Sequence, residues 1–237
     1  GARGFAVVGS SYFVLVWAVG CIMTFPGKDW VAPPIPASVT NLEKADREYG
    51  PLEMMKTLRF WLMIVLMCLA SMTGIMFVGA LSGIAQAQLG VGTAAASWIV
   101  GISALANFVG RMGFGRVCDR LGEAKTVLII LVVTILSLFV MKNAFTIPLF
   151  ITCLIFIGAA FGGVLVCFPP FTQKVFGMEN SGVNYGIMFL GYASGSYFGP
   201  LIAAKTKMLG PDGAVMATSY ANAYGIALGV GVAGIVV

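Results

Sequence analysis

The side chain in this sequence with the most chemistry to offer is Arg111, a guanidinium set in the glycine-rich stretch NFVGRMGFGRVCDRLGEAK that runs from Asn107 to Lys125. An arginine at hydrocarbon depth costs roughly 2.5–3.5 kcal/mol on insertion scales, so Arg111 needs a compensating partner. The first acid after it, Asp119, stands eight residues on, about 12 Å along a helix, which is close to half the thickness of a bilayer core. Asn107 and Ser103 lie one and two turns earlier on the same helical face and make a polar stripe that should look into a bundle rather than at lipid. None of the apolar stretches contains an aspartate or glutamate. The partner is therefore a substrate anion, a carboxylate or carbonyl set elsewhere in the protein, or headgroups reached by snorkelling. A planar guanidinium grips a carboxylate through two parallel hydrogen bonds, which makes a small organic acid the best match.

The elements that would hold such a group are membrane helices. The chain of 237 residues is 59% hydrophobic and 10% charged, with a mean hydropathy of +0.96, whereas a soluble domain carries about 25% charged residues. With no histidine and five cysteines that fall singly (Cys21, Cys68, Cys118, Cys153, Cys167), a metal site and a disulfide framework are both unsupported, and no cofactor is expected. The net charge of +5 is no sign of nucleic acid, because the basic residues lie in loops between apolar runs, where they orient the chain in a bilayer.

Seven stretches are long enough to cross: about 5–25, 60–83, 93–115, 126–142, 148–170, 181–204 and 217–237. The first is too long for a signal-peptide core and the chain does not start with methionine, so it reads as a spanning helix of a protein that extends further at both ends. One set of loops carries nine basic residues (Lys28, Lys44, Arg47, Lys56, Arg59, Arg116, Arg120, Lys125, Lys174) and the other four (Arg3, Lys142, Lys205, Lys207), which puts the first set in the cytoplasm. The expected organisation is a helix over 1–25, a cytoplasmic linker over 26–57 and a six-helix bundle over 58–237.

The linker holds five of the ten prolines, so its first part should be extended, and its second part suits short helices at the membrane surface, with Pro51 as a first helical residue. It reads equally as a flexible tether or as a brace. Trp61 is expected to anchor the next span at the interface. Glycines at four-residue spacing (Gly191, Gly195 and Gly199; Gly182 and Gly186; Gly158 and Gly162) favour close helix packing. Pro169, Pro170 and Pro200 should bend or end their helices.

The turn after Arg111 reads Gly115-Arg116-Val117-Cys118-Asp119-Arg120-Leu121-Gly122. It resembles the G-x-x-x-D-R-x-G signature of the major facilitator superfamily, carried in a cytoplasmic loop of each half. In it Gly115 and Gly122 allow close contact, Asp119 should cap the next helix and Arg120 should pair with a neighbouring one. The two basic residues usual after the last glycine are replaced by Glu123 and Ala124. A closer resemblance, to the oxalate/formate antiporter family within that superfamily, covers KTLRFWLMIVLM, the arginine motif, FGGVLVCFPPFTQKVFGMENSGVNYGIMFLGYASGSYFGPLIAA and the proline-rich linker. It implies an all-α, multi-pass membrane protein whose seven spans are helices six to twelve of twelve, expected to be monomeric, in the plasma or inner membrane. By that resemblance Arg111 matches an arginine on helix eight implicated in carboxylate binding. A helix-eleven lysine used by the oxalate exchanger corresponds to Tyr192, which favours a monocarboxylate such as formate, lactate or pyruvate over oxalate.

The expectation from the sequence is thus a secondary transporter of small carboxylates working by alternating access, with Arg111 binding the anion, Asn107 and Tyr192 orienting it, and the Asp119 loop latching the inward side. Tyr185, Phe189, Tyr197 and Trp98 are candidates for an aromatic wall. A non-transporting membrane receptor on the same fold and a carrier of another small solute remain as alternatives. A membrane enzyme is disfavoured, since no histidine, acidic pair or activated nucleophile sits at membrane depth.

Overall fold

The computed structural model describes residues 2–23, 47–205 and 217–236, and among them every regular element is helical. It divides into two compact units, Gly1–Leu42 and Glu43–Val237. The first contains α1 (Ala2–Ile22), apolar along its length. Residues 24–46, the greater part of the linker, lie outside the described residues.

The second unit opens with α2 (Pro51–Met55), which has Pro51 at its first turn as the sequence led us to expect. Five segments there are long and apolar enough to cross a membrane: α3 (Leu58–Leu89), α4 (Thr93–Leu121), α5 (Glu123–Met141), α6 (Ile147–Phe176) and the pair α7 (Ser181–Met188) and α8 (Leu190–Lys205) taken together. The last helix, α9 (Ala217–Val236), is apolar over Tyr224–Ile235. Helical structure is what lipid demands, because only intrahelical bonds satisfy the backbone there. α4 lies along α6, α8 lies along α3, α5 packs on α6 and on α4, and α9 sits against α3 and α5.

Side chains fill this bundle in two layers. One, towards the linker end, is built on Met54, Phe60, Met67, Ile130, Phe168 and Phe176. The other, towards the opposite end, is built on Phe77, Leu81, Leu138, Phe150, Leu154 and Tyr224. Among lipid tails such packing holds by dispersion and close fit rather than by exclusion of water. At the far end Gln88 serves as a clamp: its Nε2 donates to the Met141 and Ala144 carbonyls at 2.7 and 2.9 Å, while its Oε1 accepts from the Tyr224 hydroxyl at 3.2 Å. The Met141 carbonyl ends α5 and also accepts the Ala144 N–H at 3.0 Å, and the Ala144 carbonyl lies in the turn beyond the helix.

Two expectations about helix breaks are corrected. α6 runs through Pro169 and Pro170 without interruption to Phe176. The buried face made by Cys167, Phe168, Thr172 and Phe176 continues across the prolines, and this packing outweighs the two missing N–H groups. In the next span Pro200 lies inside α8, and the interruption falls instead at Phe189, between α7 and α8.

The linker's last residues fasten the unit at its near end. The Glu48 carboxylate accepts the backbone N–H of Met178 at 3.2 Å and that of Glu179 at 3.0 Å. Beside it the Tyr49 N–H donates to the Phe176 carbonyl at 2.9 Å. The Tyr49 carbonyl accepts from the Asn184 side chain at 3.0 Å, and its ring meets Phe176 edge-on at 5.8 Å. Arg47 completes the strap by pairing with Glu53 at 3.0 Å while lying over the Tyr49 ring. The strap fits because Gly177 turns the chain with φ +93° and ψ 171°, a conformation reserved to glycine, and has no Cβ to collide with the Glu48 carboxylate. Gly177→Ala should therefore cost roughly 1–3 kcal/mol from backbone strain alone. Thermal unfolding of the detergent-solubilised protein checks this: a lower melting temperature is expected, and an unchanged one would mean that the connection does not need glycine.

Candidate functional site

Arg111 stands past the middle of α4, its backbone beside Gly162 of α6 and its side chain exposed on the flank of that contact. The stripe seen in the sequence is real but it rotates, since each four-residue step overshoots a full turn by about 40°. Ser103 is buried against α6, Asn107 lies at the edge of the seam, and Arg111 emerges on an uncovered face among Leu105, Phe108, Val109 and Met112, each more than half exposed. The Arg111 Nε donates to Asn107 Oδ1 at 3.3 Å, and Asn107 Nδ2 donates across the seam to the Gly158 carbonyl at 3.4 Å. Among the described residues no carboxylate lies within ion-pair distance of Arg111.

The seam is tight because it is lined by glycine. A Cβ at Gly158 would stand 2.9 Å from the Ser103 carbonyl oxygen, one at Gly162 would collide with the Asn107 carbonyl, and one at Gly110 with the Ala159 backbone. Gly191 and Gly199 bring α8 equally close to Ile64 and Met72 of α3, with Gly195 between them against Cys68. These stripes pack helices, whereas Gly182 and Gly186 face no atom within 4 Å among the described residues.

Tyr192 belongs to α8 and stacks on Phe189 with ring centroids 4.8 Å apart, while Phe189 meets Tyr185 edge-on at 5.7 Å. These three make a continuous aromatic run. Trp98 and Tyr197 do not join it: Trp98 is 78% exposed near the start of α4, and Tyr197 pairs with Phe198. α4 and α8 each pack on α3 rather than chiefly on one another, and among the described residues no hydrogen bond joins Tyr192 to Arg111. Two small voids among the described residues lie elsewhere. One, between Thr73, Thr134 and Phe161, and another beside Tyr224 and Phe77, measure ≈ 10 Å³ each, room for one water at most. Neither admits an organic solute.

The signature turn is built differently from its sequence expectation. Asp119 and Arg120 fall in the last turn of α4, are exposed, and make no ion pair among the described residues. α5 has no side-chain cap; its N-cap is Gly122, at φ +85° and ψ 164°, so the last glycine of the signature is the residue that reverses the chain. A Cβ at Gly115 would meet only Val166, at an ordinary 3.5 Å. The acid at the start of α5 is Glu123, which is 5% exposed and paired with Lys174 of α6 at 3.5 Å. Sequence reading registered Glu123 only as a departure from the pattern, and it placed no weight on Lys174 or Glu48. Acids at a helix start are a usable signal, but a partner 51 positions away is visible only in the fold.

The Major Facilitator Superfamily model matches residues 4–237. The chain belongs to the major facilitator superfamily. Within it, the chain is 29% identical over 155 residues to the uncharacterized MFS-type transporter YhjX of Escherichia coli strain K12, a match that covers 64% of this chain and 38% of that protein. It is 25% identical over 194 residues to the oxalate:formate antiporter of Oxalobacter formigenes, covering 78% of this chain and 43% of that protein. The chain thus spans less than half the length of the curated relatives it matches. As a major facilitator protein it is an integral, multi-pass membrane protein of a transporter family.

The pair at the signature turn makes a testable stability prediction for this superfamily member. Lys174→Met leaves the Glu123 carboxylate with no cation across the turn, whereas Glu123→Gln leaves Lys174 a third exposed and open to water. The first is expected to cost about 1–3 kcal/mol and the second clearly less. Melting temperatures of the two variants in one detergent decide it, and the reverse order would refute the role given to the ion pair.

Proposed function

We propose that this chain is the C-terminal part, helices six to twelve, of a secondary transporter that moves small carboxylates by alternating access between two helical bundles. Residues 1–25 would close the N-terminal bundle, residues 26–57 would form a cytoplasmic linker and residues 58–237 the second bundle. The observation that carries the reading is Arg111: a permanent cation with exposed apolar neighbours, on a flank of α4 left open, with no acid among the described residues within ion-pair distance of it. A carboxylate arriving from water satisfies that charge and leaves again without the standing cost of a fixed pair.

Tyr192 supports a single negative charge on the substrate. Its phenol offers one neutral donor, and its hydroxyl makes no hydrogen bond among the described residues. Formate, lactate and pyruvate fit that allotment better than oxalate. The carboxylates of the described spans, Asp119 and Glu123, stand at the end of α4 and the start of α5 and none lies at mid-span, which favours exchange over proton symport. The likeness to the oxalate:formate antiporter of Oxalobacter formigenes agrees with this class of solute.

Counterflow in liposomes with labelled formate, lactate, pyruvate and oxalate tests the reading on the complete transporter. Arg111→Gln is expected to abolish uptake while expression and melting temperature hold, and retained uptake would remove Arg111 from the site. Saturable binding without flux in the wild-type protein would support the receptor reading. Tyr192→Lys adds the second cation a dianion wants, and oxalate is then expected to compete with formate at least tenfold better than before; no change in that competition would detach Tyr192 from the substrate.

A further inference from the structure

We propose that Asn107 is a positioning residue for Arg111, holding the guanidinium so that it presents its two terminal nitrogens end-on to a carboxylate. This rests on the reading of Arg111 as the anion's ligand, and it changes the part given to Asn107 from contact with the substrate to control of its receptor.

The assignment follows from what each side of the Asn107 amide faces. Arg111 Nε, at 3.3 Å, has only a hydrogen to offer, and the Gly158 carbonyl, at 3.4 Å, has only lone pairs. The amide therefore has one workable orientation, oxygen towards Arg111 and nitrogen towards α6, and the flipped form would set donor against donor and acceptor against acceptor. Its oxygen and its nitrogen are both engaged by the protein, which leaves it poorly placed to serve a substrate.

The consequence lies in the geometry of the guanidinium. A carboxylate docks bidentately either side-on, through Nε and one Nη, or end-on, through both Nη atoms. With Nε already donating to Asn107, the end-on mode is the one left with two open donors. The anchor beyond Asn107 is main chain, which cannot change rotamer. The Gly158 carbonyl comes within reach because neither Gly158 nor Gly162 has a side chain to hold α6 away from α4 at Ser103 and Asn107. The aim of Arg111 is thus set through Asn107 by the spacing of two helices.

The test uses the complete transporter in liposomes and measures half-saturating concentration and maximal rate for labelled formate, lactate and pyruvate. Because positioning acts on the carboxylate common to all three, Asn107→Ala is expected to raise each half-saturating concentration by a similar factor, roughly tenfold, with maximal rates within about twofold of wild type. Unequal factors among the three acids would show that Asn107 touches the substrate, and would overturn the proposal. Asn107→Asp has nearly the same size and keeps the acceptor, so it serves even where the alanine variant fails to fold. It sets a fixed anion beside Arg111 that competes with substrate, and is expected to weaken uptake more than Asn107→Ala does, most strongly at low ionic strength. Wild-type transport by Asn107→Asp would also overturn the proposal. Should Arg111→Gln abolish uptake while Asn107→Ala leaves affinity unchanged, this inference fails and the carboxylate reading stands; uptake retained by Arg111→Gln removes both.

Discussion

The bundle depends on main chain meeting main chain. Where α4 crosses α6, and again where α8 lies along α3, the surfaces in contact are carbonyls and Cα atoms, with side chains displaced to either flank. In lipid no hydrophobic force draws helices together, since the tails are as apolar as the side chains they would replace. Close fit and dispersion must supply the attraction, and both fall steeply with distance. A single added methyl at Gly110 or Gly162 would push the pair apart and remove much of what holds it. The same closeness decides which polar groups can reach across, and the Gly158 carbonyl is the case that matters most.

The end of the bundle nearest the linker is organised on other terms. There charges and hydrogen bonds predominate: Glu123 with Lys174, Glu48 with two backbone amides, Asn184 with the Tyr49 carbonyl. Two glycines in one unusual conformation, Gly122 and Gly177, reverse the chain, and Gly177 also leaves room for the Glu48 carboxylate. The buried Asn184 amide donates through its nitrogen, but its oxygen has no hydrogen-bond partner among the described residues, so this region is less completely satisfied than the Gln88 clamp at the far end. Incomplete satisfaction lowers the cost of opening, and the two ends of the bundle are unequal in that respect.

Much of this was legible in the sequence, for physical reasons that also mark where legibility stops. Apolar runs of spanning length left the backbone no choice but helix, and four-residue glycine spacing foretold close packing on α6 and α8 without saying which helices they would meet. Pro51 could be placed because a first turn has no use for its missing N–H. The same reasoning misjudged Pro169 and Pro170, where the deciding fact was a buried face that continues past them. It misjudged Asp119 as a cap because one residue, Gly122, performs the reversal and moves the helix start beyond reach of that side chain. Arg111 could be recognised as a cation in want of a partner, but its emergence onto an open face, and the engagement of both ends of Asn107, depend on how far α4 has rotated relative to α6. No pattern in a single chain encodes that rotation.

The strap at Glu48 and Tyr49 fixes the length of the leash. A connection that swung freely from the start of α3 would pivot at Thr57; one pinned to the α6–α7 turn pivots at Arg47, ten residues earlier. At about 3.3–3.6 Å per extended residue, that withdraws on the order of 30 Å of reach. Any pull on the connection is delivered to the turn between α6 and α7 rather than to the mouth of α3.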